Sequence, residues 1–274
     1  RIGDSDAVLL NKINITEEIL AACPSLRYIG VQATGYNVID LEACRRHNVT
    51  VTNVPTYSTA GVSQLTFAFI LEFACKTAEH SASVMAGDWI KSKDFCYWKH
   101  APVELDGKTL GIFGYGSIGS RVESIAKAFG MRTIVCTRTP NPLIENPVDA
   151  EQLFKQSDFL TLHAPLTEAT RGIVNEKNIS LMKETAVIIN TARGALVDEN
   201  AVRKALDTGR IAGYAADVVS EEPMKADNPL LGAPNCLLTP HIAWAATETR
   251  QRLLDIVIAN IRCFIAGCPQ NVVS

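Results

Sequence analysis

Three polar side chains follow strand-like apolar runs in the second half of the chain. Arg193 comes after the run in "IINTARGALVDE", Glu221 and Glu222 come after "YAADVV", and His241 comes after "LLTP". Because parallel strands end at one edge of a sheet, groups that follow three successive strands are expected to lie together there. A guanidinium, a carboxylate and an imidazole suit the reduction of a 2-keto acid. The cation binds the acid, the imidazole protonates the oxygen that becomes an alkoxide, and the carboxylate keeps that donor protonated.

Each of these side chains also has an ordinary structural explanation. A loop arginine is usually solvated, a Glu-Glu-Pro turn usually lies at the surface, and a single histidine is more often structural than catalytic. Their joint occurrence at three successive strand ends favours a catalytic site at Arg193, one of the two glutamates and His241.

A glycine-rich turn predicts where a nucleotide binds. The segment "TLGIFGYGSIG" places Gly114, Gly116 and Gly119 in the pattern G-x-G-x-x-G, after an apolar strand and ahead of a helix and a second strand. The first glycine permits the tight turn, the second lets the backbone approach a pyrophosphate, and the third lets the helix lie close to the strand. Backbone amides around Ser117 and Ile118 then face the phosphates. The pattern alone could be a structural turn, but this context favours a dinucleotide-binding unit.

The end of the second strand bears on which dinucleotide is bound. A dinucleotide-binding unit usually has an acid here to accept hydrogen bonds from the adenosine ribose, whereas this chain has Thr137 followed by Arg138. A guanidinium suits a ribose 2′-phosphate. NADPH is therefore favoured over NADH, although Arg138 could also be a solvated loop residue.

Strands and helices alternate almost throughout the chain, which is typical of a parallel sheet covered on both faces. From Lys108 the pattern predicts strands at 109–113, 132–136, 158–162, 185–190, 211–217 and 236–239, with helices at 117–129, 149–156, 175–182 and 198–207. Six strands in this alternation match a full doubly wound dinucleotide domain.

The first part of the chain predicts a smaller domain of the same α/β class. Short strands are predicted in "LRYIGVQAT" and "VTVTNV", with the helix "VIDLEACRRH" between them, and a long helix is predicted from Val62 to Ala86. The aperiodic segment 88–107 is interpreted as the crossing between domains, and the amphipathic helix 247–266 as a return to the first domain. The predicted domains are therefore 1–87 with 248–274, and 88–247.

The composition argues against several classes of protein. The 274 residues are 47% hydrophobic and 20% charged with a net charge of −3, so the charge predicts no nucleic-acid or membrane partner. No apolar run approaches the ~20 residues of a spanning helix, and the first residues lack the layout of a signal peptide. Eight cysteines are spread singly without a C-x-x-C pair, which indicates free thiols in a reducing compartment and no metal site. We expect a cytoplasmic protein.

The sequence resembles the D-isomer-specific 2-hydroxyacid dehydrogenase family over essentially its whole length. The resemblance rests on "NVPTYST", "GKTLGIFGYGSIG", "LHAPLTEATRGIVN", "INTARGALVDE", "AADVVSEEP" and "TPHIAWA". It implies an NAD(P)-dependent enzyme with two doubly wound parallel-sheet domains, a Rossmann nucleotide domain and a smaller flavodoxin-like substrate domain. It also implies Arg193 as the substrate clamp, His241 as the acid/base, and Glu222, the acid directly before Pro223, as the partner of the histidine.

The same resemblance assigns further residues to the cofactor and the substrate. The cofactor residues that it implies are Gly114, Gly116, Ser117, Ile118, Gly119, Thr137, Arg138, His163, Ala164, Pro165, Thr191, Ala192 and Asp217. His163 would line the nucleotide cleft through its backbone, and Asp217 would hold the nicotinamide carboxamide. The substrate would be bound by backbone amides around Thr34 and Gly35, together with Arg193 and His241. The family's first strand and helix, about 40 residues, would precede Arg1, so an N-terminally truncated substrate domain is expected.

Within the family, "TPHIAWAATETR" is most similar to glycerate dehydrogenases, also called hydroxypyruvate reductases. Trp244 would then border the substrate pocket, although it could equally be a packing residue. The expected reaction is reduction of hydroxypyruvate or glyoxylate to D-glycerate or glycolate, and the resemblance also implies a homodimer. Two alternatives stay open: a corepressor-like protein that binds nicotinamide nucleotides, and a dehydrogenase for another acid such as D-lactate or phosphoglycerate.

Overall fold

The computed structural model of the protein describes residues 2–274. Within it the chain forms two compact units: one contains the residues up to Thr59 together with Trp244–Ser274, and the other contains Ala60–Ala243. The smaller unit is thus built from both ends of the chain. Both units are α/β with parallel sheets, which confirms the predicted fold class.

The strands and helices of residues 2–274 are numbered in chain order. The strands are β1 (Ala7–Leu10), β2 (Tyr28–Val31), β3 (Thr50–Thr52), β4 (Thr109–Phe113), β5 (Arg132–Cys136), β6 (Phe159–Leu162), β7 (Val187–Asn190), β8 (Gly213–Ala216) and β9 (Cys236–Leu238). The helices are α1 (Glu17–Ala21), α2 (Leu41–Arg46), α3 (Thr59–Cys75), α4 (Thr77–Met85), α5 (Ser117–Ala128), α6 (Ala150–Gln156), α7 (Glu176–Ile179), α8 (Glu199–Asp207) and α9 (Thr247–Ile265). Short 3₁₀ turns lie at Trp89–Lys91 and Gly194–Leu196.

The larger unit contains a six-stranded parallel sheet in the order β5-β4-β6-β7-β8-β9. Every residue of β4, β6, β7 and β8 is buried. Successive residues face opposite sides of the sheet, since Val187 and Ile189 belong to one core cluster and Ile188 to another. Strands without a polar face need helices on both sides, which explains their continuous apolar runs. The strand order reverses between β4 and β6, where sheets of this type bind ligands beyond the carboxyl ends.

The six strands and four helices predicted from Lys108 onward are all present, and their ends differ from the predicted ones by three residues at most. Local chemistry explains where several of the helices begin. Asp149, Asn175 and Asp198 each accept a hydrogen bond from an amide in the first turn of α6, α7 and α8. In α8, Val202 and Leu206 then point into the core at helical spacing.

The long helix predicted from Val62 to Ala86 is wrong in one respect, because two helices occupy this stretch. α3 ends directly before Lys76, which has a left-handed φ of 51°, and α4 begins directly after it. The carboxylate of Glu72 accepts hydrogen bonds from the Thr77 hydroxyl at 2.8 Å and the Ala78 amide at 3.4 Å. These contacts satisfy donors at the start of α4. No glycine or proline marks the break, so the residue pattern contains no signal for it.

The units divide after Thr59 and after Ala243, whereas the predicted boundaries lie after residues 87 and 247. Almost all of α3 and the whole of α4 therefore belong to the larger unit. The physical reason is burial, because apolar side chains of α3 such as Ile70 pack in the same cluster as Ile112 of β4. The segment 88–107, interpreted from its sequence as a crossing between domains, accordingly lies inside the larger unit.

The smaller unit contains a three-stranded parallel sheet in the order β1-β2-β3. The residue pattern did not predict β1 and α1, which are short, and β1 is a largely exposed edge strand. α9 belongs to this unit: the ring centroids of Phe264 and Tyr28 lie 4.7 Å apart, and the Asn260 amide donates to the Asn53 carbonyl at 2.9 Å. The last helix thus packs with the first part of the chain.

Three kinds of feature are missing from residues 2–274. No helix there has the length and apolar character needed to cross a membrane. No cluster of three or more His, Cys, Asp or Glu side chains is arranged to hold a metal ion. The eight cysteines form no disulfide within this range.

Candidate active site

The loops after β7, β8 and β9 contain the three predicted catalytic residues. These strands are neighbours in the sheet, and their last residues stand in register with one another. Adjacent strands lie about 4.8 Å apart, so the three loops begin within about 10 Å of each other. Arg193, Glu222 and His241 follow the strand ends by three, six and three residues. The predicted placement at one edge is therefore observed.

Glu222 and His241 are in direct contact. A carboxylate oxygen of Glu222 lies 2.7 Å from Nδ1 of the His241 imidazole. The two side chains keep 26% and 30% of their surfaces exposed. A carboxylate at this distance accepts a hydrogen bond from Nδ1, which fixes the orientation of the ring. Both side chains keep part of their surface where a small molecule can reach it.

The loop that carries His241 is held by Asp217, which directly follows β8. Asp217 is 1% exposed. One of its carboxylate oxygens accepts from the Thr239 hydroxyl at 2.6 Å and the Ile242 amide at 2.8 Å, and the other accepts from the Ala243 amide at 2.8 Å. Its carbonyl accepts from the His241 amide at 2.8 Å. These bonds fix His241 at a φ of 53°, a left-handed conformation that few residues other than glycine adopt.

Arg193 lies on the loop after β7, which the last residue of that strand organises. The side chain of Asn190 accepts from the Ala192 amide at 3.1 Å and donates to the Arg193 carbonyl at 2.9 Å. Arg193 is half-buried, and its Nη1 donates to the Ala192 carbonyl at 2.6 Å. The hydroxyl of Thr191 is buried 3.1 Å from that of Thr66. The backbone that carries Arg193 is therefore fixed from within the core.

Gly194 allows the Arg193 loop to touch the loop after β8. A Cβ at this position would lie 1.9 Å from the carbonyl carbon of Val219 and 2.3 Å from the amide nitrogen of Ser220. Only a residue without a side chain permits such an approach. The loops that carry Arg193 and Glu222 are thus in backbone contact, a link that the sequence analysis missed.

The glycine turn has the packing that its spacing predicts. Gly114 has a φ of 94°, and a Cβ on it would lie 2.5 Å from the amide nitrogen of Ala164. A Cβ on Gly119 would lie 2.4 Å from the carbonyl oxygen of Gly114. Around Gly116, by contrast, a Cβ would meet no atom within 4 Å. Two glycines therefore allow the chain to pack on itself, and the third leaves open space at the N-terminus of α5.

A buried carboxylate that was not predicted ties the glycine turn to α5. The Tyr115 hydroxyl donates to Glu123, which is 5% exposed and also accepts from the Thr133 hydroxyl at 2.9 Å. Burial, together with the nearby Glu123 carboxylate, raises the pKa of Tyr115 to about 12. The phenol therefore stays protonated at neutral pH and anchors the middle of the turn.

Comparison with known proteins assigns the chain to a family. A family model described as the D-isomer specific 2-hydroxyacid dehydrogenase, NAD binding domain, matches residues 67–243, which include the glycine turn and the Glu222–His241 pair. The chain belongs to the D-isomer-specific 2-hydroxyacid dehydrogenase family. It is therefore an oxidoreductase, and its cofactor is a nicotinamide dinucleotide. The resemblance seen in the sequence motifs is confirmed.

Individual relatives match this dehydrogenase over nearly all of its length. It is 45% identical to a hydroxypyruvate reductase of Blautia hydrogenotrophica, with 100% of this chain and 86% of that protein covered. It is 38% identical to a glycerate dehydrogenase of Methylorubrum extorquens, with 100% and 87% covered. Among solved structures, an acyclic imino acid reductase, Bsp5, in complex with NADPH and D-Arg is similar with a TM-score of 0.88, 33% identity, and 98% and 85% of the two chains covered.

The end of β6 provides a second observation that fits the dehydrogenase's dinucleotide. His163 follows β6 beside the reversal of strand order, and its amide donates to the Phe113 carbonyl at 2.7 Å. Both ring nitrogens expose less than 1 Å² and find no hydrogen-bond partner within residues 2–274. Burial lowers the pKa of His163 to about 3, so the ring is neutral. An unsatisfied buried ring next to the glycine turn is consistent with a site that a polar ligand completes.

The remaining predicted cofactor residues of the dehydrogenase surround the same strand ends. Thr137 is half-buried and Arg138 is exposed, and both directly follow Cys136, whose carbonyl accepts from the Gly114 amide at 2.8 Å. They therefore stand next to the glycine turn. The other predicted residues at these strand ends and at the start of α5 are Ser117, Ile118, Ala164, Pro165, Thr191 and Ala192.

The predicted substrate residues Thr34, Gly35 and Trp244 lie in the smaller unit. The Thr34 hydroxyl donates to the Val54 carbonyl at 2.8 Å, and Gly35 follows it in the same loop. Trp244 is half-buried and packs against a cluster that includes Val54 and Leu253. Trp244 thus has a packing role, and the assignment of all three residues to the substrate remains a prediction.

Proposed function

We propose that this dehydrogenase reduces a small 2-keto acid, hydroxypyruvate or glyoxylate, to D-glycerate or glycolate. The observation that carries the proposal is the contact between Glu222 and His241 at the carboxyl edge of the six-stranded sheet. The loop that carries Glu222 also touches the Arg193 loop at Gly194. The relatives named hydroxypyruvate reductase and glycerate dehydrogenase support this choice of substrate.

Each side chain of the catalytic triad has one task in this reaction. Arg193 binds the substrate carboxylate and polarises the carbonyl, because a guanidinium forms paired hydrogen bonds with such oxygens. His241 donates a proton from Nε2 to the carbonyl oxygen while Glu222 orients the ring through Nδ1 and stabilises the imidazolium. The bound cofactor supplies the hydride. Negative charge that develops on the oxygen is thus met by a cation and then neutralised by a proton.

The cofactor is assigned to the glycine turn and the adjoining strand ends. Gly116 leaves room for the pyrophosphate at the start of α5, where backbone amides can bind an anion. Asp217 is assigned to the nicotinamide carboxamide. A carboxylate offers about four acceptor positions, and three are taken by Thr239, Ile242 and Ala243. The last position is thus left for the carboxamide.

The preferred cofactor in this proposal is NADPH. Thr137 has no charge to repel a ribose 2′-phosphate, and Arg138 supplies a cation to bind it. The similarity to an imino acid reductase in complex with NADPH is compatible with this preference.

The smaller unit is proposed to contribute to substrate binding through three residues. Backbone amides around Thr34 and Gly35 would bind the substrate carboxylate, and Trp244 would limit the size of the acid. A small polar side chain such as the hydroxymethyl of hydroxypyruvate then suits the site better than a bulky one.

A substrate panel with both reduced cofactors tests the proposal. Initial rates with hydroxypyruvate, glyoxylate, pyruvate and 3-phosphohydroxypyruvate should give the highest kcat/KM for one of the first two, with NADPH. The variant Arg138→Ala should lose about 10- to 100-fold in kcat/KM for NADPH, because hydrogen bonds to a charged group are lost, and little for NADH.

Several outcomes of this panel would contradict the proposal. A strong NADH preference that survives Arg138→Ala rejects the assignment of NADPH. A best rate with pyruvate or the phosphorylated acid points to the alternative dehydrogenases. Tight NADPH binding without turnover of any acid would favour the corepressor-like alternative.

Assembly and compartment complete the proposal. Met85, Ile90 and Phe95 are exposed apolar residues in and after α4, and a surface of this kind commonly lies in a subunit interface. We place the enzyme as a homodimer in the cytoplasm, where its unpaired cysteines would stay reduced. A monomeric mass by light scattering at micromolar concentration would contradict the dimer.

A further inference from the structure

A buried glutamate outside the triad holds the loop that carries Glu222. Glu199 is the first residue of α8 and is 8% exposed. The capping of this helix is done by the preceding residue, Asp198, which accepts from the Asn200 and Ala201 amides at 3.0 and 3.1 Å. The carboxylate of Glu199 is therefore not needed to cap the helix.

Within residues 2–274, three donors bind the Glu199 carboxylate, and all of them come from the loop between β8 and β9. One oxygen accepts from the Ser220 amide at 2.6 Å. The other accepts from the Ser220 hydroxyl at 2.7 Å and the Asn228 side-chain amide at 2.9 Å. Glu222 lies between these two residues in the chain. A single carboxylate therefore holds the loop on both sides of the proposed partner of His241.

The electrostatics of this contact explain why the carboxylate needs all three donors. The donors are neutral, so their hydrogen bonds, without an opposite charge, offset much of the cost of burying the carboxylate. The start of α8 also favours a negative group through the helix dipole. Loss of the carboxylate would leave the Ser220 and Asn228 donors without their acceptor, and the loop would move to regain partners.

The loop that carries Arg193 also packs directly against Ser220. Gly194 approaches the backbone of Val219 and Ser220 so closely that a Cβ there would lie 2.3 Å from the Ser220 amide nitrogen. A shift of Ser220 is therefore transmitted to two of the three loops of the triad, those that carry Arg193 and Glu222.

We propose that Glu199 is a positioning residue that fixes Ser220 and thereby sets the Glu222 carboxylate against the His241 imidazole. The proposal rests on the proposed function, in which Glu222 stabilises the imidazolium. The other charged groups of this region are Asp217, which is held by donors of its own, Glu221, which is paired with Lys225 at 2.7 Å, and Arg193.

The test is Glu199→Gln, which keeps the shape of the side chain but places an amide donor against Ser220 and Asn228. We expect kcat for hydroxypyruvate to fall about 10- to 100-fold, as for a small displacement of reacting groups, with the dissociation constant of NADPH unchanged. In the free enzyme, the NMR resonance of the His241 Nδ1 proton, which reports the hydrogen bond to Glu222, should move upfield. The cause is that a longer hydrogen bond to the carboxylate deshields this proton less.

A double-variant comparison shows whether Glu199 acts through Glu222. If it does, Glu199→Gln combined with Glu222→Gln should lose little more kcat than Glu222→Gln alone, because groups that act as a unit are not additive. Losses that multiply in the double variant would overturn the proposal. An unchanged resonance of the His241 Nδ1 proton in folded Glu199→Gln would overturn it as well.

Arg203 supplies a matched control on the same helix. Its guanidinium donates to the carbonyls of Pro229 at 2.9 Å and Leu231 at 3.2 Å, so it holds the same loop farther from Glu222. Arg203→Gln should leave both kcat and the resonance of the His241 Nδ1 proton near those of the unmodified enzyme. If Arg203→Gln changes kcat and the His241 resonance as much as Glu199→Gln does, then any loosening of the loop is sufficient. Glu199 would in that case have no specific positioning role.

Two further measurements keep the outcomes distinct. If Glu199→Gln does not fold, Ser220→Ala removes only the hydroxyl donor and should change kcat and the His241 Nδ1 proton resonance in the same directions by smaller amounts; no change would reject the proposal. If Glu222→Gln proves fully active, the proposed catalytic role of Glu222 fails. The Nδ1 proton resonance still decides whether Glu199 controls the contact of Glu222 with His241.

Discussion

Four side chains in the larger unit have buried polar atoms that differ in how they are satisfied, and the difference separates structural roles from binding roles. The carboxylates of Asp217, Glu123 and Glu199 each accept from at least two donors that belong to a neighbouring loop or strand. Each one fixes a turn, either the glycine turn or a loop of the triad. The ring of His163, by contrast, is buried without a partner in residues 2–274.

Residue types at strand ends were enough to predict that Arg193, His241 and one of two glutamates lie at one edge of the sheet, and their catalytic roles stay a prediction. The buried carboxylates could not be predicted in the same way. The donors to Glu199 lie more than 20 residues away and include a backbone amide, which leaves no mark in the residue pattern.

The burial of His163 predicts a pH-dependent stability. Its pKa falls from the ordinary 6.5 to about 3 in the folded protein. Between these values the unfolded chain binds a proton that the folded chain does not, so the free energy of unfolding decreases as the pH falls through this window. From pH 7.5 to pH 5 the loss from this one proton is at most about 2 kcal/mol.

Urea unfolding of the cofactor-free protein at these two pH values checks this expectation. Between pH 7.5 and pH 5, the free energy of unfolding of His163→Gln should fall less than that of the unmodified protein, by up to about 2 kcal/mol. Identical pH dependence in the two proteins would show that His163 is not buried as a neutral ring.

At the scale of elements, the parallel sheet explains why distant segments form one site. The ends of β7, β8 and β9 are in register, and Gly194 brings the first two of their loops into contact. The alternation of apolar runs was sufficient to predict these strands. It was not sufficient for the break at Lys76 or the unit boundary at Thr59, because both depend on tertiary contacts of α3 and α4.

Two glycine substitutions separate packing between loops from cofactor binding. Gly194→Ala should lower the free energy of unfolding by about 1–3 kcal/mol, because its Cβ must displace the backbone of Val219 and Ser220. It should also lower kcat, since the Arg193 and Glu222 loops move apart. Gly116→Ala should leave stability unchanged, because its Cβ meets no protein atom, and should weaken NADPH binding by filling the space at the start of α5.

Denaturant unfolding measures the change in stability, and fluorescence titration measures the change in affinity for NADPH. The opposite pattern, with Gly116→Ala unstable and Gly194→Ala unaffected, would contradict the assignment of these two glycines.

At the scale of the whole molecule, the larger unit contains the glycine turn and all three residues of the triad, and the smaller unit contains Thr34, Gly35 and Trp244. The family model spans residues 67–243, close to the bounds of the larger unit. The proposed chemistry therefore resides in the larger unit, and the choice among 2-keto acids is assigned to residues of the smaller one. This division predicts that losing the proton donor harms turnover without harming cofactor binding.

The most direct measurement is kcat for hydroxypyruvate reduction by His241→Ala, taken beside the dissociation constant of NADPH for the same variant. The proton donor is lost while the glycine turn is intact, so kcat should fall about 10²- to 10⁴-fold and the affinity for NADPH should not change. Turnover equal to that of the unmodified enzyme would show that His241 is not the acid, and it would contradict the assignment of Arg193, Glu222 and His241 as the catalytic site.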